Sequence, residues 1–311
     1  MKILIVANNK IEEGRFPHFV NEQVKSLQNE GIIIDSYGVS GKGIFGYLKS
    51  AIGIIKKARE SKPDLIHAHY GLSGLCANFQ RTFPVITTYH GSDIHSGGWI
   101  LKLSQLAMHL SAYNIFVTGK MLQMSNYKRS NACIQSCGLD LDTINIIDRM
   151  EARKKMGWNA KDVKILFSAS FSNINKNSNL AKAAVEKIHG AELIELDGYT
   201  RQEVNLLMNA CNLQLTTSNK ESGPLVVKEA MACGTPVVSV DVGDVKEIIG
   251  NTEGCYIAER NPEDIVDKIE LALKYKGKTN GRQRIIDLGL DNRQIAKRII
   301  SIYEEVLKRK K

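Results

Sequence analysis

Aromatic residues are scarce in this chain, at 6% of 311 residues, and no run of apolar residues is long. A binder of single-stranded nucleic acid that stacks bases on aromatic side chains usually has more, so we expect no nucleic acid partner. No apolar run approaches the roughly 18 residues of a membrane span. The five apolar residues after Met1-Lys2 are too few for a signal peptide.

The chain also lacks paired cysteines and glycine-rich loops. Its six cysteines form no Cys-x-x-Cys pair, and most stand among apolar or small residues, which indicates reduced, packed thiols in a cytosolic protein. No Gly-x-Gly-x-x-Gly follows any predicted strand, which argues against a nicotinamide enzyme. The net charge of +9 favours an anionic partner, although an ordinary solvated surface is the alternative.

Short β-branched runs alternate along the chain with segments whose apolar residues stand three and four apart. This alternation predicts βαβ units and parallel sheets, and two series of runs predict two doubly wound, Rossmann-like α/β domains facing a cleft. The first series is Ile3–Ala7, Ile32–Tyr37, Leu65–His69, Val85–Tyr89, Asn114–Thr118 and Ala132–Ser136. The second series is Val163–Ser168, Glu192–Leu196, Leu213–Thr217, Pro236–Val240 and Cys255–Ile257.

The break between the two series lies near Cys137-Gly-Leu-Asp140, and the length suits two domains of about 150 residues. We therefore expect an N-terminal Rossmann-like domain over 1–145 and a C-terminal Rossmann-like domain over 146–290. A last helix over 291–311 is expected to pack back toward the N-terminal domain. Ligands of open parallel sheets bind outside the carboxyl ends of the strands, so the residues after strands are the candidates for function.

One such stretch follows the predicted strand Leu213–Thr217. A helix is predicted to start at Pro224 and to end at Gly234, and its first free amides form an anion site facing the cleft. Glu221 and Glu229 stand eight residues apart, close to two full helical turns, which places both carboxylates near one helix face. The alternative is a helix with an acidic first turn and one solvated glutamate.

The string Glu221-Ser-Gly-Pro-Leu-Val-Val-Lys-Glu229-Ala-Met-Ala-Cys-Gly-Thr-Pro-Val-Val resembles the signature of glycosyltransferase family 4. This is the large retaining family on the GT-B fold, also described as glycosyl transferases group 1. Further motifs of that family are similar to Asp64-Leu-Ile-His-Ala-His-Tyr70, Thr88-Tyr-His-Gly-Ser-Asp93 and Cys137-Gly-Leu-Asp140. The resemblance covers nearly the whole chain in the right order.

The resemblance implies transfer of a sugar from a nucleotide-diphosphate sugar to an acceptor hydroxyl, with retention and without a metal or other cofactor. It would make 1–145 the acceptor-binding domain and 146–290 the nucleotide-sugar-binding domain. Glu229 would hold the ribose hydroxyls, and Glu221 would lie near the anomeric carbon. Where the family has Phe-Gly, this chain has Gly223-Pro224. The loop and helix start that would bind the donor sugar and phosphate are Ser222, Gly223, Pro224 and Leu225.

By the same resemblance, His90 would act in the sugar pocket, and Asp93 would fix its loop. The alternative for His90-Gly91 is an ordinary turn at a strand end. His67 and His69 point to the same side of a strand, and together with His90 and Asp93 they raise the alternative of a metal site. The metal-free chemistry of the family argues against that alternative.

The cations expected at the diphosphate depart from the family pattern. Lys176 aligns with the family's lysine, but Ser170 or Phe171 stands where the family has an arginine. Arg201 and Arg15 are the candidate replacements. Gly14 follows the first strand and is expected near the donor phosphates, although one glycine there is a weak signal.

The segment 44–62 mixes apolar and basic residues. A basic amphipathic helix can lie on an anionic membrane surface, whereas the alternative is a helix that packs its apolar face on the sheet. Both hold if only the basic edge meets lipid. The family suggests a cytoplasmic enzyme at the inner membrane face, acting on a sugar or lipid-linked acceptor in surface polysaccharide assembly. The lysines expected to meet lipid are Lys49, Lys56, Lys57 and Lys62.

Two other functions and two mechanisms stay open at this point. The chain is alternatively an epimerase-like GT-B enzyme of the non-hydrolysing type, or a degenerate, non-catalytic binder of a nucleotide sugar or an anionic polymer. For a transferase, a front-face route lets the leaving phosphate take the acceptor proton, whereas a covalent route needs a carboxylate at the anomeric carbon.

Overall fold

The computed structural model describes residues 1–8, 16–40 and 43–310. The predicted phosphate contact Gly14 and the candidate cation Arg15 therefore lie outside the described residues. Within the described ranges, no helix is both long enough and apolar enough to cross a lipid bilayer.

The described residues form eleven strands, and each overlaps one of the runs predicted from sequence. The first sheet contains β1 (Lys2–Asn8), β2 (Ile33–Val39), β3 (Leu65–His69), β4 (Val85–Tyr89), β5 (Tyr113–Phe116) and β6 (Ala132–Ile134). The second sheet contains β7 (Val163–Phe167), β8 (Ala191–Ile194), β9 (Leu213–Thr216), β10 (Val237–Val240) and β11 (Cys255–Ala258). The predicted α/β class with two doubly wound sheets is confirmed.

Both sheets are parallel throughout, with strand orders β2-β1-β3-β4-β5-β6 and β11-β10-β9-β7-β8. Strands β3 and β4 are buried along their whole length, and the buried residues include the polar side chains His67, His69, Thr87 and Thr88. The order reverses between β1 and β3 in the first sheet and between β7 and β9 in the second. Ligands of such sheets bind at the carboxyl ends beside this reversal.

Helices connect the strands in chain order. Those of the first sheet are α1 (His18–Asn29), α2 (Gly43–Ser61), α3 (Gly71–Asn78), α4 (Ser92–His95), α5 (Gly98–Leu110) and α6 (Gly119–Ser125). The remainder are α7 (Arg149–Met156), α8 (Ser178–Val185), α9 (Arg201–Ala210), α10 (Leu225–Ala232), α11 (Val245–Ile249), α12 (Pro262–Lys274), α13 (Gly281–Asp287) and α14 (Asn292–Lys310).

The chain divides into two compact units. The first contains Met1–Gly138 together with Asn292–Lys311, and the second contains Leu139–Asp291. The helix α14 thus belongs to the first unit, where the Ser26 hydroxyl donates a hydrogen bond to the Asn292 carbonyl at 2.7 Å. Tyr303 of α14 is fully buried there. The sequence places the boundaries at residues 145 and 290.

In the first unit, α3 packs very closely on its neighbours. A Cβ atom added to Gly71 would lie 2.2 Å from the Ser104 hydroxyl of α5, and one added to Gly74 would lie 2.5 Å from the Thr87 hydroxyl of β4. Such distances are too short for any side chain larger than hydrogen, so both positions require glycine. The close approach fixes α3 between α5 and the sheet.

Candidate active site

The strand reversal of the second unit brings together a predicted cation and a predicted carboxylate. Lys176 lies in the turn after β7, Glu221 lies in the loop after β9, and the lysine Nζ forms an ion pair with Glu221 Oε1. The Thr217 hydroxyl donates to the backbone carbonyls of Lys176 at 3.0 Å and of Asn177 at 2.9 Å. These bonds hold the two loops against each other.

Glu229 is the second predicted carboxylate, and it has a different cation. Its Oε1 accepts a hydrogen bond at 2.6 Å from Arg201 Nη1, and its side chain is 7% exposed. The prediction that Glu221 and Glu229 share a helix face is wrong, because α10 begins only at Leu225. Pro224 is the N-cap residue rather than the first helical residue. Each carboxylate is instead positioned by its own cation.

The loop before α10 rests on the loop after β10. A Cβ atom on Gly243, which has φ +60°, would lie 2.5 Å from the Ser222 carbonyl oxygen. On Gly223, a Cβ atom would lie 3.2 Å from Asp244 Oδ2 and 3.3 Å from Lys228 Nζ. Because residue 223 is a glycine, the predicted donor loop can lie directly against a pair of charged groups.

Those charged groups, Lys228 and Asp244, were not identified from the sequence. They form a buried ion pair at 3.2 Å, with side chains 1% and 7% exposed. A charged group this deeply buried requires a counter-ion, because its desolvation is otherwise uncompensated. The available signal was a lysine inside the apolar helix segment Leu-Val-Val-Lys-Glu-Ala-Met-Ala. Its partner follows a glycine after a different strand, so the sequence alone did not join them.

We predict that Lys228→Met destabilises the protein by about 3–5 kcal/mol, because Asp244 then keeps a buried charge with its lysine removed. The double variant Lys228→Met/Asp244→Asn should recover much of that loss, since neither side chain is then charged. Free energies of unfolding from urea denaturation check both. A loss below about 1 kcal/mol in the single variant would contradict a pair of this importance.

The strand end where the family has its arginine is acidic in this structure. The Ser170 hydroxyl donates to Glu195 Oε1 at 2.9 Å, and the Phe171 amide donates to the same oxygen. Of the two candidate replacements for the arginine, Arg201 contacts Glu229 and so lies within the predicted site. Arg260, which sequence reasoning did not consider, follows β11 and donates to the Ser218 carbonyl at 2.7 Å.

In the first unit, Asp93 organises the turn after β4. Its carboxylate accepts hydrogen bonds from the backbone amides of Gly91 at 2.8 Å, His90 at 3.2 Å and Gly71 at 3.2 Å. Burial raises the pKa of the Asp93 carboxyl, and the amide hydrogen bonds oppose that rise. Gly91 has φ +130°, a conformation that favours glycine. Asp93 thereby fixes the backbone that carries His90.

Three histidines form a stack at the carboxyl ends of β3 and β4. Ring centroids of His67 and His69 are 4.6 Å apart, and those of His69 and His90 are 5.2 Å apart. His69 Nδ1 and His90 Nε2 hydrogen-bond at 2.9 Å. His67 hydrogen-bonds with the Tyr303 hydroxyl at 2.6 Å and with the Thr88 hydroxyl at 2.7 Å. Across the described residues, no group of three or more His, Cys, Asp or Glu side chains has the arrangement of a metal site.

Burial keeps this stack neutral. It lowers the pKa of His69 from 6.5 to about 3, and it lowers the pKa of His67 and His90 well below 6.5, with a further effect from the neighbouring rings. In the unfolded chain these imidazoles bind protons near pH 6.5. Their contribution to stability is therefore fully present above that pH and is lost as the pH falls toward the folded values.

We predict that His69→Asn removes part of this acid sensitivity. The asparagine amide can replace Nδ1 in the bond to His90, and His69 Nε2 has no hydrogen-bond partner among the described residues. Between about pH 7.5 and pH 5 the wild-type chain should lose about 2 kcal/mol more stability than the variant. Urea denaturation at both pH values measures it, and equal losses would show that His69 takes up protons equally in both states.

The predicted basic helix is α2, and its apolar residues lie on two faces. Ala51, Ile54 and Ala58 are buried in the core of the first unit, as the packing interpretation requires. Phe45 and Ile52 are exposed. Among the four predicted lysines, Lys57 is half-buried and the rest are exposed: Lys49, Lys56 and Lys62.

Two protein-family models match the chain, one in each unit. Residues 18–117 match the model described as "Glycosyl transferase 4-like", and residues 190–289 match "Glycosyl transferases group 1". An uncharacterized glycosyltransferase of Methanocaldococcus jannaschii is 27% identical over 247 residues, or 72% of this chain and 69% of the relative. N-acetyl-alpha-D-glucosaminyl L-malate synthase of Bacillus anthracis is 22% identical over 295 residues, or 80% of this chain and 77% of the relative.

Solved structures share the fold over nearly the whole chain. Sucrose-phosphate synthase from Thermosynechococcus elongatus has a TM-score of 0.83 at 16% identity, covering 99% of both chains. HepE of Anabaena, solved in complex with UDP, has a TM-score of 0.74 at 15% identity, covering 98% of this chain and 100% of HepE. These likenesses identify the fold as GT-B-like.

Proposed function

The chain belongs to the glycosyl transferases group 1 family and is a nucleotide-sugar-dependent glycosyltransferase, and from this premise we propose a specific course for its reaction. The sugar of a nucleotide-diphosphate donor moves to an acceptor hydroxyl with its anomeric configuration retained. The second unit binds the donor, and the first unit binds the acceptor. The observation that supports this proposal is the pairing of Lys176 with Glu221 and of Arg201 with Glu229 beside the strand reversal.

The two ion pairs suit a ligand that carries both a diol and a diphosphate. A ribose diol offers hydroxyl donors to the carboxylate of Glu229, and a diphosphate offers anionic oxygens to Lys176 and Arg201. Bound donor would thus exchange protein–protein pairs for protein–ligand pairs without leaving a buried charge alone. The backbone amides of Ser222, Gly223 and Leu225 add neutral donors for phosphate, whereas Pro224 has no amide hydrogen.

Lys176 is the group that we assign to the developing charge of the leaving diphosphate. A fixed cation beside that charge stabilises the transition state more than the bound donor. With Lys176 and Arg201 supplying positive charge, the proposed reaction needs no metal. In this bound state Glu221, no longer paired with Lys176, accepts a hydrogen bond from a hydroxyl of the donor sugar. We propose the front-face route, in which the leaving phosphate takes the acceptor proton and no carboxylate attacks the anomeric carbon.

For the first unit we propose that His90, on the backbone fixed by Asp93, meets the transferred sugar and the acceptor. Burial, with a smaller effect of His69, lowers the pKa of His90 and keeps its imidazole neutral, so it acts by hydrogen bonding rather than as a cation. We further propose a lipid-linked acceptor in surface polysaccharide or glycolipid assembly, at the cytoplasmic face of the membrane. The basic side chains proposed to meet anionic lipid head groups are Lys49, Lys56, Lys57 and Lys62.

Nucleotide release, measured with and without acceptor, tests the proposal as a whole. After a thermal-shift screen identifies a stabilising nucleotide sugar, a transferase should release nucleotide much faster when acceptor is present. Release that ignores the acceptor would instead support an epimerase-like enzyme. A protein that binds the nucleotide sugar and releases nothing would be a non-catalytic binder.

Glu229→Ala should weaken donor binding by roughly 1.5–3 kcal/mol, the usual effect of losing a charge-assisted hydrogen bond. Glu221→Gln should lower kcat more than donor affinity, because this side chain lies near the reacting carbon. Titration calorimetry and steady-state kinetics measure the two effects. The exposed Glu253→Gln is a matched control in the same unit, and wild-type behaviour of both test variants would refute the paired-carboxylate assignment.

Lys176→Ala should lower turnover about a hundredfold or more, with a smaller loss of donor affinity, because the charge it meets develops during the reaction. Lys176→Arg should keep part of the rate that Lys176→Ala loses, because the positive charge contributes more to turnover than its exact position does. The double variant Lys176→Ala/Glu221→Gln shows how much of the loss comes from the carboxylate left behind. Lys161→Ala, at an exposed position, is the control. A Lys176→Ala enzyme with turnover within about threefold of wild type would show that Lys176 has no role in the reaction.

A further inference from the structure

The first unit carries an apolar groove on the face formed by α2, α3 and α5. Its volume is about 350 Å³, within the range of about 300–1,000 Å³ that is common for sites of small molecules. Among the residues that the structure describes, no charged side chain lines it. The lining side chains that matter below are Leu48, Leu72, Leu75, Phe79, Trp99 and Leu103.

Large apolar side chains stand exposed in and beside this groove. Phe45 is 86% exposed, Ile52 69%, Trp99 62%, Phe79 56% and Leu48 49%. Single exposed apolar residues are ordinary, but a cluster of this size on one face marks a binding surface. The buried face of α2 already packs on the sheet, so core packing does not account for the exposed face.

The three helices that form the groove carry mostly positive charge. The helices α2, α3 and α5 together contain one acidic residue, Glu60, and it pairs with Lys56 at 4.0 Å. A second copy of the same face would bring like charges together, which is unfavourable. An anionic amphiphile has an apolar chain that complements the lining of the groove and a negative head that complements the positive charge of these helices. The basic residues of these helices are Lys49, Lys56, Lys57, Arg59 and Lys102.

The groove lies beside the edge of the sheet that carries His90. Leu72 follows Gly71, whose amide is bound by the Asp93 carboxylate at 3.2 Å, and the same carboxylate fixes the His90 backbone. Trp99 stands in the first turn of α5, whose N-terminus also lies at the carboxyl ends of the strands. An amphiphile whose chain occupies the groove therefore has its head group close to the proposed acceptor site.

We propose that this groove binds the hydrocarbon chain of an anionic, lipid-linked acceptor and presents its head group beside His90. This assignment rests on the proposed transferase function and gives the lipid chain of its acceptor a specific binding surface. The lipid chain replaces water over the exposed apolar side chains. Lys49 and Lys102, each next in sequence to a lining leucine, contribute the preference for a negatively charged head group.

Farnesyl phosphate at submicellar concentration is the probe, and Trp99 is the reporter. The chain has two tryptophans, so Trp158→Phe leaves Trp99 alone. We expect a saturable blue shift of Trp99 fluorescence with farnesyl phosphate and about tenfold weaker binding of farnesol, which lacks the anionic head. Inorganic phosphate, which lacks the chain, should give no shift. No response to farnesyl phosphate, or equal affinity for farnesol, would overturn the proposal.

Two substitutions at exposed positions test the groove itself. Phe79→Glu and Leu48→Glu place a carboxylate among the lining side chains and should weaken farnesyl phosphate binding at least about tenfold. Ile33→Glu, at an equally exposed apolar position on β2 (61% exposed), is the matched control and should bind as wild type does. Unfolding temperatures confirm that all three variants remain folded. Unchanged binding in both groove variants would refute the assignment.

Three further outcomes separate this proposal from its alternatives. In the first outcome, neither protein binds the monomeric probe, and Phe79→Glu binds anionic vesicles as tightly as wild type does. This result would refute the groove proposal in favour of docking on a membrane surface. A wild-type dimer that Phe79→Glu dissociates in sedimentation would replace it with self-association. The nucleotide-sugar thermal shift, measured on the same samples, tests the transferase proposal separately. If a nucleotide sugar raises the unfolding temperature but farnesyl phosphate does not bind, the groove proposal is refuted and the transferase proposal is not.

Discussion

Parallel pairing of the strands is the constraint on which the candidate site depends. In a parallel sheet the carboxyl ends of all strands lie at the same edge. Strands β7 and β9 are neighbours in the sheet, so the loops that follow them start side by side. That geometry brings Lys176 to Glu221 although 45 residues separate them. The turn after β4 and the start of α3 meet in the same way in the first unit, where one carboxylate, that of Asp93, binds amides from both. Side chains that are distant in sequence become neighbours because each lies just after the end of a strand.

A second constraint acts on the charges gathered at these edges. Glu229, Lys228 and Asp244 are buried, and each has an oppositely charged partner within a few ångströms. Removing both members of such a pair costs little, whereas removing one leaves a desolvated charge. A polar ligand that offers hydroxyls and phosphates can replace the partners of Glu229 and Lys176 without stranding a charge. The stacked histidines of the first unit follow the opposite rule, since burial keeps them neutral and hydrogen-bonded.

The first unit combines this polar edge with an apolar helical face. The helix α2 uses Ala51, Ile54 and Ala58 to cover the sheet, and its remaining apolar residues join α3 and α5 around a groove. The glycines of α3 permit its close packing on α5 and on β4. A polar strand edge and an apolar groove therefore lie within one unit, as the proposed amphiphilic acceptor requires.

The amino-acid sequence by itself determined the strands, the two parallel sheets and the stretch from Glu221 to Glu229, because period and motif are local properties of the chain. It did not determine which charges pair. The prediction of a shared helix face is wrong because α10 starts at Leu225. Lys228 of α10 pairs with Asp244 only because the loop after β10 packs against the start of α10 beside Gly223. The sequence likewise marked α2 as basic and amphipathic without revealing its two apolar faces. Partner choice and exposed surface depend on distances between segments far apart in the chain, and only the tertiary structure sets those distances.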